Sequence, residues 1–212
     1  MFPRLITPFL LLISLLLSAE DQNSEITYLR GLVDSNIFSS NTFQSKFEQI
    51  LRDEKGEIID KMEGIISLDK PNSFRWHYMY PYEQIIIGNG IKIVSHDIDL
   101  NSITIRDYSN INNTAPIIML QGNQFLDSNL ELGDSYYDSE GFLWLTLQYL
   151  INDDEKYSFD VAFNNEVIAK MVIKDSLNQN MTINFFDPSF NKDLNSDLFD
   201  IETIIIKSNK EK

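Results

Sequence analysis

Cysteine is absent from the 212 residues. That excludes disulfides, thiol catalysis and Cys-rich metal sites, and it denies the chain a thioether lipid anchor of its own. Stability must come from a packed core. The signatures of common chemistries are missing as well: there is no Gly-x-Ser-x-Gly, Walker loop, paired-His metal motif or Gly-rich dinucleotide fingerprint. Only two histidines occur, His77 and His96. Both fall in alternating segments opposite apolar neighbours, where a histidine ordinarily meets solvent. Asp97 and Asp99 are spaced like part of a calcium loop, but the glycine and distal glutamate that complete one are lacking. Asp153-Asp154-Glu155 reads as a solvated turn. These absences argue against an enzyme, and no cofactor or metal is expected.

Positive charge is also scarce. Seventeen Lys and Arg face 32 Asp and Glu, for a net charge of −15. So acidic a surface repels nucleic acid and anionic head groups and favours a monomer; no nucleic-acid partner is expected. Long apolar runs are confined to the start. Arg4 precedes an apolar stretch from Leu5 to Leu17, which ends at Ser18-Ala19 just before Glu20 and Asp21. A positive start, a short apolar core and a small-residue exit are the parts of a secretory signal peptide. The run is too short for a comfortable membrane span. The expected division is therefore a cleaved leader over residues 1–19 and one exported domain over 20–212.

Aromatic residues are what the chain has in surplus: 14 Phe, 9 Tyr and 2 Trp, against only 8 Gly and 6 Pro. This is a folding composition, without the polar, Pro-rich bias of disorder. Ile26, Leu29, Leu32, Val33 and Ile37 recur at helical spacing after a candidate cap at Ser24, which predicts a helix over 24–37. The period then changes to two. Phe43, Ser45, Phe47, Gln49 and Leu51 share one strand face; Ile58, Met62, Ile66 and Leu68 share another. Lys70-Pro71-Asn72 turns the chain into the most distinctive strand, where Phe74, Trp76, Tyr78 and Tyr80 all point one way. Ile85-Ile86-Ile87 is followed by Asn89-Gly90, a strong hairpin signal. Ile91, Ile93 and Ser95 return, and Ile103 and Ile105 mark a further strand. Residues 107–116 read as a polar loop, and 116–126 as one or two short helices. Alternation resumes over 142–149, 157–163, 166–173 and 181–186, with a hairpin at Asn164-Asn165. Residues 198–206 are expected to add an edge strand.

About ten strands at near-regular spacing, with no linker or repeat, predict an α+β chain that is mainly β. The expected form is a single antiparallel sheet curved into an incomplete barrel. Its apolar concave face would be covered by the helices at 24–37 and 116–126.

The block Lys70-Pro71-Asn72-Ser73-Phe74-Arg75-Trp76, with Gln84-Ile85-Ile86 and Asn89-Gly90 after it, closely resembles the LolA family of periplasmic outer-membrane lipoprotein carriers. Asp97 to Leu100 with Ile103-Thr104-Ile105-Arg106 continues the likeness. Thr114 to Leu120 is similar to the family's apolar lid helix, and Asn184 to Asn191 to its final strands. The family commonly has arginine where this chain has Lys70, and it usually ends in a Pro-x-Gly turn that is absent here. The resemblance implies a carrier that takes lipoproteins from an inner-membrane ABC release complex and hands them to an outer-membrane receptor. Their acyl chains would occupy a cavity of Phe43, Phe47, Phe74, Trp76 and Tyr78. Lid residues would be Leu29, Leu32 and Val33 on one helix, and Ile117, Ile118, Met119 and Leu120 on the other, with Lys70 as the tether of the lid. A sensing module of the same fold, binding lipid or lipoprotein without ferrying it, stays open as an alternative. The receptor itself is disfavoured by the missing acceptor cysteine.

Overall fold

The computed structural model describes residues 24–108, 130–152, 155–174 and 178–204. The predicted leader at 1–19 and the second predicted lid, with Ile117, Ile118, Met119 and Leu120, lie outside the described residues. An α-helix, α1, covers residues 24–33 and runs on into one π-helical turn, Asp34–Phe38. Eleven strands follow: β1 Thr42–Arg52, β2 Ile58–Asp69, β3 Ser73–Tyr80, β4 Gln84–Asn89, β5 Lys92–Asp97, β6 Ser102–Asp107, β7 Leu130–Tyr137, β8 Leu143–Asn152, β9 Glu155–Asn164, β10 Val167–Lys174 and β11 Asn180–Phe190.

All eleven form one antiparallel sheet in the order β6-β5-β4-β3-β2-β1-β11-β10-β9-β8-β7. It is two meanders joined at β1–β11, and it is open, with β6 and β7 at its edges. Register explains the core. Phe43 of β1 lies opposite Leu68, which lies opposite Phe74; Phe47 faces Gly64, which faces Tyr78. Across the centre Phe47 pairs with Phe185, and Gln49 with Ile183. Because strand side chains alternate, this places every second residue of eight or more strands on one face. Those residues, from Ile66 and Trp76 to Leu145, Val161 and Met171, form one buried cluster that also takes in Leu29, Leu32, Val33, Ile37 and Phe38. We call this the inner face.

The opposite, outer face carries a second, smaller cluster. Ile85, Ile87 and Val94 pack with Ile201 and Ile204. The unbroken Ile85-Ile86-Ile87 run is thereby explained: β4 is covered on both sides, so alternation gives way to continuous apolarity.

Two expectations fail in part, and one strand was unforeseen. Over 198–204, the described part of the expected edge strand at 198–206, no strand forms. Ser196–Phe199 is a 3-10 turn and 201–204 is helical. Asn195 Oδ1 accepts from the Asp197 amide, and Asp200 Oδ1 accepts from the Glu202 and Thr203 amides. Such caps favour helical turns over strand, and a three-residue spacing then turns Ile201 and Ile204 to the same side. Nor did alternation announce β7, whose sequence Leu-Glu-Leu-Gly-Asp-Ser-Tyr-Tyr is mostly exposed and broken in register between Leu132 and Ser135. The predicted second strand is also only half core. Gly64, Ile66 and Leu68 are buried, whereas Ile58 is 54% exposed.

Candidate functional site

The aromatic strand builds the centre of the inner face. Phe43, Phe47, Phe74 and Trp76 are buried to 2, 2, 5 and 7% exposure, and Tyr78 is packed against them. The rings interlock. Phe47 meets Trp76 edge-on at 5.3 Å between centroids and Tyr78 at 5.4 Å, while Trp76 and Tyr78 stack at 6.3 Å. Phe43 meets Phe185 at 5.7 Å, and Phe74 approaches Tyr108 at 6.5 Å. These edge and offset geometries are the favourable ones for aromatic pairs. Two glycines allow close approach here, one to a ring and one to the neighbouring backbone. A Cβ on Gly88 would stand 2.2 Å from the Phe74 ring, which lies across β4 at that point. On Gly64 it would meet the His77 carbonyl oxygen at 1.9 Å, where the β2–β3 register slips.

All five predicted cavity residues are thus brought together on one face, and there they fill space. Two clefts border the sheet. One, of about 560 Å³, runs along Lys46, Ile65, Met79 and Phe186. The other, of about 680 Å³, lies between Arg75, His96 and the C-terminal turn.

Polar groups on the inner side are few. The Tyr78 hydroxyl donates to Gln49 Oε1 at 3.1 Å. Burial pushes that phenol up to about 12, with the Gln49 hydrogen bond acting against it. Ser45 Oγ lies 2.9 Å from the Phe186 carbonyl, at the bulge in β1.

Helix α1 and its π turn are held at the C-terminal end from two directions. On one side Lys70, at the β2–β3 turn, donates from Nζ to the carbonyls of Ile37 and, at 3.3 Å, Phe38. A cation here also meets the negative end of the helix dipole. Burial pushes the Lys70 ammonium down to about 8, with the Asp34 carboxylate opposing the shift. On the other side Asn36, 6% exposed, reaches the β9–β10 hairpin. Its Nδ2 donates to the Glu166 carbonyl at 2.8 Å, and its Oδ1 accepts from the Ile168 amide at 2.9 Å. Asn36 went unnoticed in the sequence. Val33-Asp34-Ser35-Asn36-Ile37-Phe38 is half polar, so nothing local sets Asn36 apart from Asp34 and Ser35. Arg75 was also unread as a working residue: it donates to the Leu198 carbonyl at 3.3 Å and secures the outer C-terminal segment.

No helix among the described residues is long and apolar enough to cross a membrane. Among the same residues no cluster of three or more metal-ligating side chains occurs.

Comparison with known proteins identifies the family by sequence. The family model described as outer membrane lipoprotein carrier protein LolA matches residues 39–202. An outer-membrane lipoprotein carrier protein from Nitrosomonas europaea is 30% identical over 164 residues, covering 74% of this chain and 77% of its own. Another, from Xanthomonas oryzae pv. oryzae, is 28% identical over 160 residues, covering 75% and 73%. The crystal structure of a LolA superfamily protein from Nitrosomonas europaea superposes with a TM-score of 0.49 at 12% identity, covering 82% of this chain and 96% of that one. The chain belongs to the LolA family of outer-membrane lipoprotein carrier proteins.

Proposed function

We propose that the protein is a periplasmic chaperone whose inner face exchanges its own helical cover for the acyl chains of lipoproteins. It receives them from an inner-membrane release complex and delivers them to an outer-membrane receptor, acting as a monomer after loss of its leader. The observation that carries this reading is the state of Phe43, Phe47, Phe74, Trp76 and Tyr78. They are packed on one face together with Leu29, Leu32, Val33, Ile37 and Phe38, from a helix that Lys70 ties down by its terminal carbonyls.

Energetics support an exchange. A buried methylene contributes roughly 0.8 kcal/mol, so part of one acyl chain offers several kcal/mol. An open greasy cavity would therefore be a trap. Burying Leu29, Leu32 and Val33 stabilises the empty form by roughly 1.5–3 kcal/mol per side chain, the same order as a few methylenes. Cargo and cover then compete for one surface, and a ligand shifts such an equilibrium only by its differential affinity. Delivery without an energy source needs that near balance. Ile117, Ile118, Met119 and Leu120 are the second cover by likeness to the family's lid helix.

Reconstituted release tests the proposal. The protein is expected to extract a lipoprotein from inner-membrane vesicles bearing the release complex, and to pass it to membranes bearing the receptor. Extraction without onward transfer would favour the sensing module of the same fold. Failure to extract at all would sink both.

A further inference from the structure

We propose that the indole N–H of Trp76 is a specific donor for an ester or amide carbonyl at the head of a bound acyl chain, so that it sets the depth at which cargo sits on the inner face. This rests on the acyl-carrier reading above and adds to it the chemical group recognised.

The starting observation is an imbalance between the two tryptophans. Trp144 donates from Nε1 to Asp138 Oδ2 at 2.8 Å. Trp76 Nε1 is fully buried, and among the described residues it has no hydrogen-bond partner. Other buried polar side chains near the inner face are satisfied. Asn36 binds the β9–β10 hairpin, Ser40 donates to the Ser35 carbonyl at 3.1 Å, Ser45 has the Phe186 carbonyl, and Gln49 has the Tyr78 hydroxyl. A buried donor without an acceptor costs folding free energy, and such groups are rare. Here the rings of Phe47 and Tyr78 border the indole, and both are the wrong chemistry for pairing a N–H strongly.

Phenylalanine at this position would fill the apolar face without that cost, so the N–H points to an acceptor that arrives with the ligand. The hydrocarbon part of an acyl chain has none. Its carbonyl does, and it sits at one fixed end. A single donor among apolar side chains therefore orients the chain and distinguishes acyl from alkyl cargo, in the way that a few placed polar groups fix orientation in mostly apolar sites.

The test compares dioctanoylglycerol with its diether analogue dioctylglycerol, which has the same chains but no carbonyls. The wild-type protein is expected to bind the diester roughly three- to tenfold more tightly, the worth of one net hydrogen bond. Replacing Trp76 by 3-benzothienylalanine keeps the ring shape and removes the N–H. In that protein the ratio of diester to diether affinity should fall to about one, and Trp76→Phe should show the same loss of preference whatever its absolute affinities. In the wild type, the Trp76 indole resonance should move downfield with diester and stay put with diether, while that of Trp144 moves with neither. Equal binding of both probes to the wild type, or a preference that survives the benzothienyl replacement, overturns the inference and leaves the acyl-carrier reading standing. Binding of neither probe overturns both.

Discussion

The two faces of the sheet carry the same kind of cluster and treat it differently. On the outer face, Ile85, Ile87 and Val94 lie with Ile201 and Ile204, and the segment that brings those isoleucines is held by its own caps and by Arg75. On the inner face, a far larger cluster includes helix α1, held at one end by Lys70 and Asn36. The inner face also holds the buried indole N–H without a partner among the described residues. Polar satisfaction is what separates them. On the proposed function the outer cover is a permanent part of the fold and the inner one exchangeable, with a costly ammonium at its anchor and, among the described residues, an unpaired donor beneath it.

Breaking the inner face should have the largest effect. Phe74→Glu places a carboxylate where a ring now fills the centre of the sheet, and burial of an unpaired charge is strongly unfavourable. Lipoprotein loading should fall by at least about a hundredfold, on the order of the several kcal/mol such burial costs. The matched outer-face change, Ile201→Ala, should lower stability by about 2 kcal/mol and leave loading unchanged. Loading that survives Phe74→Glu, or is lost with Ile201→Ala, would erase the distinction between the faces.

Next comes the clamp at Asn36. Alanine there leaves the buried Ile168 amide without its acceptor, which costs about 1–3 kcal/mol. Chemical denaturation should show that loss. Loading should become faster, because one of the two anchors of the helix is gone; slower loading would mean that Asn36 holds the site together instead of holding it shut.

The smallest effect sharpens the same comparison at Lys70. In the folded chain its ammonium is pushed down to about 8, and in the unfolded chain it stays near 10.5. Between those values the folded protein binds fewer protons, so this group makes stability rise with pH across that window. Lys70→Arg should abolish the rise, since arginine stays charged throughout. It should also slow delivery to the receptor by a few fold, because a planar guanidinium directs more donors at the Ile37 and Phe38 carbonyls. Thermal melts from pH 7 to 10.5 and a transfer assay read both; an equal slope in the variant, or unchanged transfer, would remove Lys70 from the tethering role.

Much of this was legible before any coordinates. Alternation at Phe74, Trp76 and Tyr78 identified the inner face, because a strand leaves no other way to share a side. The spacing of Leu29, Leu32 and Val33 identified the helix that packs with it. Asn89-Gly90 and Asn164-Asn165 marked hairpins, and in the second of these Asn165 and Glu166 adopt the positive φ that such turns require. The C-terminal isoleucines misled, since β-branched residues favour strands in general, whereas here the Asn195 and Asp200 caps decide. Asn36 and Arg75 were opaque for another reason. Their partners are more than a hundred residues away, and no local pattern encodes a long-range hydrogen bond.

Hydrogen exchange with and without bound lipoprotein compares the two covers in one experiment. Amides in residues 24–38 should lose protection when cargo binds, while those in 196–204 keep theirs. Protection at 24–38 that is unchanged or strengthened by cargo would contradict an inner face that trades its helix for acyl chains.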